Sequence, residues 1–417
     1  MIGTKNNLEN YIAALDLGTS SVKTVIANPE DPSCQESQDS FYVSAVGSTE
    51  SKGVRKGVVI NVDSTVSSVS DVITQAEKLA LQKVRNLVLG VSGAHLEGLN
   101  SNGVTKVQYN EVGKVDIDRV LDAAQAVPVS FDREIIHVLS QDYVVDGQQG
   151  IKDPMGITAV RLESKVHVVS GSTNCIQSMV KCVNRSGLNV DDLVLNAIAS
   201  ALAVTTEEER AQGVCVVDIG AGTTDIAIYY DGAIQYSAVL PLGGGLITKD
   251  LASGLRIGIL SAENLKCNYG ILPAASYSGE QRIEVQSIGN QISKIINQSE
   301  IAHITKLRLS EIFEHIRTEI VKSGLKDYLT AGVVLTGGTA KLAGIVHQAE
   351  ESFALPVRIG TPQNISGLSD FVDSPEYATS VGLIKFSLLD NQGVIMSGQS
   401  SLGRSYRKIA NWFSEHF

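Results

Sequence analysis

A chain of 417 residues, 43% of them apolar and 19% charged, is longer than one compact core and predicts a globular protein of roughly two to four domains. Its formal net charge of −11 and pI of about 5.2, with no basic cluster along the body, exclude nucleic acid from the expected partners. Five scattered cysteines without a Cys-x-x-Cys pair favour reduced thiols over a disulfide framework or a zinc site, and the lack of a signal-like or bilayer-spanning apolar run makes any membrane contact peripheral.

In chain order, Tyr11 to Ile26 predicts a strand, a turn at Asp16-Leu17-Gly18-Thr19-Ser20 and a returning strand, with a third strand at Phe41 to Val46 completing a β-meander. Asp63 and Ser64 are expected to cap a helix whose apolar residues Val66, Val69, Val72, Ile73, Ala76, Leu79 and Ala80 recur at helical spacing. A strand follows at Asn86 to Ser92. Beyond Gly93, short strands surround one helix, Ile117 to Ala126, and end in a strand near Lys165 to Ser170; residues 86–166 are read as an inserted small α+β subdomain. Helices are expected at Thr173 to Gly187 and at Asp191 to Val204.

The opening motif then returns. Val214 to Val217 reads as a strand, Asp218-Ile219-Gly220-Ala221-Gly222-Thr223-Thr224-Asp225 as the turn, and Ile226 to Tyr230 and Ala233 to Leu240 as a hairpin joined at Asp231-Gly232. Such duplication of a three-strand unit predicts two pseudo-symmetric lobes. Residues 246–329 read as a largely helical outer subdomain of the second lobe, interrupted by a Gly- and Tyr-rich stretch from Asn268 to Glu280. The strand Gly332 to Leu335 runs into Thr336-Gly337-Gly338-Thr339-Ala340 and a helix, and a helix Ala378 to Leu389 closes the fold. Lobe one is thus residues 1–85 and 167–210, lobe two 211–245 and 330–389, with a polar linker at 390–401 and a terminal helix at 402–417.

Phosphates need inward backbone N–H groups, small residues that let the backbone approach, hydroxyl donors, and a carboxylate to organise Mg²⁺ through water. Both turns supply that kit: Asp16 with Gly18, Thr19, Ser20 and Ser21, and Asp218 with Gly220, Gly222, Thr223 and Thr224. Gly220-Ala221-Gly222 is no dinucleotide fingerprint, because a strand and not a helix follows it, and no P-loop sequence occurs. Gly337 and Gly338, beside Thr339, offer the close approach an adenine slot needs, while Glu263 and Lys266, three apart on a helix, can reach ribose hydroxyls.

At the C-terminus, Leu402, Tyr406, Ile409, Trp412, Phe413 and Phe417 fall on one helical face with Arg404, Arg407 and Lys408 off it. Aromatic and aliphatic residues below cations make an interfacial helix for anionic lipids, against the alternative of a helix packed on the core.

The two Asp-x-Gly hairpins, the late Gly-Gly turn and the Glu-x-x-Lys between them resemble the actin, chaperone ATPase and sugar kinase superfamily. Within it the chain resembles FtsA, the bacterial actin-like cell-division family, over essentially its whole length, through Leu89-Gly90-Val91-Ser92-Gly93, Gly213 to Gly220, Val334 to Gly338 and Val357-Arg358-Ile359-Gly360. That resemblance implies a two-lobed actin-like α/β ATPase fold with duplicated ribonuclease H-like lobes, ATP and Mg²⁺ as cofactors, and Asp16 and Asp218 at the metal end. It also implies filament formation, later division proteins as partners, a membrane-targeting C-terminal helix and a place on the cytoplasmic face of the bacterial inner membrane at the division site. The tubulin-like FtsZ would offer its C-terminal peptide to the helix carrying Arg308 and Glu311, whose other reading is an exposed ion pair. Lys23 stands where actin places a phosphate-contacting lysine, or is a solvated strand residue. The helix before the second hairpin offers Leu195-Asn196-Ala197 where actin-type hydrolysis needs a water-orienting Gln or Glu, so turnover is expected to be slow at most. A pilus-type scaffold and a sugar kinase are the alternatives on the same fold.

Overall fold

Two largely apolar runs, buried on both faces, form a hairpin in which β1 (Ile12–Leu17) and β2 (Ser21–Asn28) pair antiparallel, with Asp16 directly opposite Lys23. The computed structural model describes residues 11–29, 40–270, 281–286 and 293–391. β3 (Phe41–Glu50) pairs with β2, and the short hairpin β4 (Val54–Arg55) and β5 (Val58–Val59) leads into α1 (Val62–Ala80). The cap of α1 is Asn61 and not Asp63 or Ser64: the extended Asn61 accepts the Ser64 N–H at 2.9 Å, and Asp63 sits in the first turn, where the helix dipole favours it. β6 (Asn86–Val91) pairs parallel to β1, so this strand belongs to the sheet of lobe one and not to the insert.

The insert holds β7 (Glu97–Lys106), α2 (Lys114–Gln125), β8 (Arg133–Val145), β9 (Gln148–Ile151) and β10 (Arg161–Ser172) in a sheet ordered β7-β10-β8-β9. Its own core gathers Ile117, Val120 and Leu121 of α2 over Val138, Tyr143, Leu162, Val166 and Val168. Lobe one resumes with α3 (Thr173–Arg185), β11 (Asn189–Leu195) and α4 (Asn196–Val204). The helix expected from Asp191 is therefore a strand up to Leu195. Leu193, Val194 and Leu195 pair parallel with Leu89, Gly90 and Val91, a partner far away in sequence that local periodicity cannot register.

After α5 (Glu207–Gln212), the second meander is β12 (Val214–Ile219), β13 (Thr224–Tyr230) and β14 (Ala233–Leu240). Alternate residues divide between two cores: Val214 and Val216 join the core of lobe one, while Cys215, Val217 and Ile219 face the outer helices. Those are α6 (Gly245–Leu255), α7 (Ile259–Tyr269) and α8 (Gln298–Lys322), with a hairpin of β15 (Arg282–Gln286) and β16 (Ser293–Asn297) where only helix was expected. The chain closes through β17 (Val333–Thr336), α9 (Ile345–Phe353), β18 (Val357–Ile359), β19 (Ile365–Gly367), α10 (Ser369–Val372) and α11 (Ala378–Asn391).

The sheet orders are β11-β6-β1-β2-β3-β19 and β14-β13-β12-β17-β18, each with its meander strands antiparallel and a parallel strand beside the first. α4 and α11 pack together; α11 covers β1, β2 and β6, and α4 also reaches β12 and β13. One buried helical layer thus lies between two duplicated sheets, with the first turn of each meander beside it. The terminal helix expected at 402–417 and the linker from 392 lie outside the described residues.

The insert touches both lobes. Asn100 Nδ2 and Gln141 Nε2 donate to the carbonyls of Gln235 and Ile234 on β14 at 2.9 and 2.7 Å, and His167 Nε2 meets Ser237 Oγ at 2.8 Å. Lys152 pairs with Asp231 at 2.7 Å. A Cβ on Gly98 would stand 2.4 Å from Ser237 Oγ, so the edge of β7 approaches β14 as closely as glycine permits.

Candidate functional site

The two meander turns meet across the cleft. In the second, Gly220 N–H donates to Thr223 O at 2.9 Å, and a Cβ on Gly222 would lie 2.3 Å from Thr19 Oγ1 and 2.8 Å from Thr19 Cβ in the first. Thr19 Oγ1 accepts the Lys56 N–H at 3.1 Å, which holds the first turn against lobe one. Gly18, Ser20 and Ser21 lie in or beside that turn, while Thr223 flanks the opposite one. Thr224 departs from expectation: its hydroxyl is buried and donates to Leu242 O at 2.9 Å, so it braces the turn and does not face the cleft.

Three buried carboxylates converge behind the turns. Asp218 Oδ2 accepts from Ser200 Oγ at 2.5 Å and Thr379 Oγ1 at 3.0 Å, contacts from α4 and α11 that no sequence motif signals. Asp16 Oδ1 accepts from Asn196 Nδ2 at 3.4 Å, which puts the first residue of α4 at the metal end. Asp225, which the motif reading passed over, accepts from Ser92 Oγ at 2.9 Å and so bonds lobe two to the end of β6. Burial pushes the Asp16 carboxyl up to about 6 against the pull of Lys23, with Asp218 adding to the rise. Burial also raises Asp218, and it raises Asp225 well above the ordinary range with help from the Asp218 charge. Asp225 Oδ1 and Asn196 Oδ1 are buried with no hydrogen-bond partner among the described residues. Crowded anionic oxygens with unmet acceptors suit a hydrated cation, whose charge and water protons would satisfy both. Among the described residues no three acidic, His or Cys side chains form a cluster for direct ligation.

Lys23 is buried beside Asp16, 4.0 Å from Glu376 and 5.4 Å from the centre of the Tyr377 ring, which rules out the solvated-strand reading. Glu376 also accepts from Lys341 at 3.0 Å; Glu376 and Tyr377 carry no sequence signal because they lie in a short 3₁₀ turn before α11.

Beside Asp218, β17 runs into Gly337, whose φ of +84° suits glycine and whose missing Cβ would stand 2.2 Å from Asp218 Oδ1. A single 3₁₀ turn, Gly338–Lys341, comes before the expected helix, which begins at Ile345 as α9, and Gly338 borders open space. Thr339 Oγ1 donates to Gly220 O at 3.1 Å, as does Gly244 N–H at 2.9 Å, which joins the phosphate-type turn, the late glycines and α6 at one carbonyl. From α6, Thr248 bonds Glu263, and Lys266 Nζ donates to both Glu263 oxygens at 2.7 and 2.8 Å. Lys266 is buried and committed to this pair, and Glu263 is its more exposed member; burial raises the Glu263 carboxyl, but Lys266 and Thr248 outweigh it and hold it below its ordinary range. Arg308 and Glu311 lie elsewhere, on α8: Arg308 donates to Glu311 at 2.6 Å and to Asp250 of α6 at 2.5 Å, so the ion-pair reading describes their contacts.

The family model described as cell division protein FtsA matches residues 215–382, and that of the SHS2 domain inserted in FtsA matches residues 93–170. Cell division protein FtsA of Pseudomonas aeruginosa is 41% identical over 93% of this chain and 93% of its own length. The Escherichia coli K12 protein of the same name is 33% identical over 97% and 98%. Among solved structures, the PilM-PilN type IV pilus biogenesis complex superposes with a TM-score of 0.63 at 16% identity, covering 90% of this chain and 98% of its own. MreB 5 of Spiroplasma citri bound to AMPPNP does so at 0.56 and 14%, covering 93% and 98%. The MamK double helical filament does so at 0.53 and 13%, covering 90% and 98%. The fold is therefore that of the actin-like ATPases, with a small α/β insert in lobe one.

Proposed function

The chain belongs to the FtsA family of cell division proteins, and from that premise we propose that it is an ATP-binding, self-associating adaptor that holds the FtsZ ring to the inner membrane and recruits later septum proteins. One observation carries the nucleotide part: the Gly222 and Thr19 turns touch across a cleft floored by the buried carboxylates Asp16 and Asp218. The Thr19, Ser20, Gly220 and Thr223 turns would cradle the phosphates, and Gly337 and Gly338 would border adenine. Mg²⁺, when bound, would neutralise phosphate charge and order waters against Asp16 and Asp218. Lys23, held by Glu376, would add a fixed positive charge.

Asn196 heads α4 beside Asp16, and an amide there can hold a water but cannot take its proton. Slow hydrolysis follows, with ATP acting mainly as a brace between lobes. The AMPPNP-bound MreB 5 and the MamK filament support nucleotide binding and self-association by fold. Membrane attachment rests on the apolar and cationic spacing of 402–417, and binding of an FtsZ peptide at Arg308 and Glu311 rests on family resemblance. Filament formation would present many weak tails to one bilayer and multiply their avidity.

Trp412, the sole tryptophan, reports directly on the membrane step. Anionic vesicles should shift its emission to the blue, and deletion of 402–417 should abolish vesicle binding. Unshifted emission on vesicles would refute the adaptor reading, whereas nucleotide binding is tested separately below.

A further inference from the structure

One turn into α6, Thr248 is buried at 4% exposure, and its hydroxyl is surrounded by three polar groups. Gly244 O lies at 3.4 Å, Lys266 Nζ at 3.1 Å, and Glu263 Oε2 is closer than either. A hydroxyl has one proton, and an ammonium only donates, so Oγ1 accepts from Lys266 and gives its proton to the nearer, charged carboxylate. Glu263 Oε2 then accepts from both Thr248 and Lys266, which uses both of its lone pairs. Oε1 accepts from Lys266 at 2.7 Å and meets only the Cys267 thiol, a weak donor at 3.6 Å. Oε1 thus holds one strong donor and one weak donor that a sugar hydroxyl can displace, on the more exposed member of the triad.

We propose that Thr248 is a positioning residue that fixes the plane of the Glu263 carboxylate and so holds one of its oxygens towards the nucleotide sugar, which lets the site distinguish ribonucleotides from deoxyribonucleotides. The proposal rests on the reading of Glu263 and Lys266 as the ribose contacts. The terminal torsion of a glutamate is broad, and Lys266, bonded almost equally to both oxygens, leaves the carboxylate plane loosely set. The bond from Thr248 to one side of the group fixes that plane. Thr248 stands on the same helix start whose Gly244 N–H holds Gly220 O of the phosphate turn, which sets the sugar contact at a fixed height above the phosphates. A sugar hydroxyl then donates to an oriented anionic acceptor, and a deoxy sugar leaves that acceptor without its donor.

The test measures dissociation constants of ATP, 2′-deoxy-ATP and 3′-deoxy-ATP for the full chain carrying Thr248→Val, Thr248→Ser and Glu263→Gln, each checked by melting without nucleotide. Wild type should prefer ATP over at least one deoxy analogue by about tenfold. Thr248→Val should bring ATP close to that analogue while leaving the analogue's own affinity unchanged, and Thr248→Ser should restore the preference. Should Thr248→Val not fold, Thr248→Ala carries the same comparison. Equal loss for all three nucleotides, or an undiminished preference in Thr248→Val, overturns the proposal. An undiminished preference in Glu263→Gln instead overturns the ribose reading beneath it, so the two failures are distinguishable.

Discussion

Gly222→Ala places one methyl group where the two lobes touch. Gly222 lies outside the left-handed region, so alanine fits its backbone and the effect is confined to the contact across the cleft. The new Cβ would stand 2.3 Å from Thr19 Oγ1 and 2.8 Å from both Thr19 Cβ and Cγ2. Rotating the threonine does not help, because its Cβ is fixed to the backbone. Ordinary contact needs about 3.5–4.0 Å, so the turns must separate by roughly 1 Å. A clamp opened that far strains two or three phosphate hydrogen bonds, each worth about 1 kcal/mol net, which weakens ATP by roughly thirty- to a hundredfold. Calorimetric titration of Mg-ATP measures the loss, and melting without nucleotide should change less, because the added methyl lies between the turns and leaves the buried clusters intact. Thr19→Gly removes all three clashing atoms. The double variant should therefore bind better than the sum of the single losses, a positive coupling between residues of opposite lobes. Wild-type affinity in Gly222→Ala, or losses that simply add, would refute the facing-turn geometry.

Three further outcomes follow from the same contacts. His137, whose Nε2 accepts the Leu195 N–H, and His167 are both held near 4 by burial, below the usual 6.5. Their neutral forms stabilise the fold fully above pH 6.5, and the contribution falls as pH drops towards 4, by about 1.4 kcal/mol per pH unit for each histidine; a melting series should show a shallower acid loss in His137→Gln. Gly98→Ala forces β7 off Ser237 and should raise hydrogen exchange along β14 and the insert while leaving the α6–α8 region protected. Arg308→Ala breaks two partly exposed ion pairs and should cost no more than about 1 kcal/mol, so an FtsZ peptide lost on this substitution in a binding assay would report recognition and not unfolding.

The twin hairpins are legible in the sequence because apolar strand runs and Gly-Thr turn chemistry are local, and their repetition implies two lobes. The partners of the carboxylates were not. Ser200 and Thr379 lie on helices read only as apolar, and Ser92 follows a strand that gives no sign of facing Asp225 across the cleft. Leu195 was placed on a helix because its spacing to Ile198, Ala199 and Leu202 is helical, yet parallel pairing with Val91 claims it for β11. Asn61 lost its capping role to Asp63 and Ser64 on paper because several capping residues stand together, and only the path of the chain selects among them. Of the site pairs, Glu263 and Lys266 were found by their spacing on one helix, while Thr248, a turn into another helix, was not.

The central claim is that one Mg-nucleotide needs both lobes at once. Titrating Mg-ATP into the wild-type chain, Asp16→Ala, Asp218→Ala and the double variant measures this most directly. Wild type should bind one nucleotide per chain, and either single variant should lose nearly as much affinity as the double. Two independent sites, or full binding that survives removal of either aspartate, would contradict it.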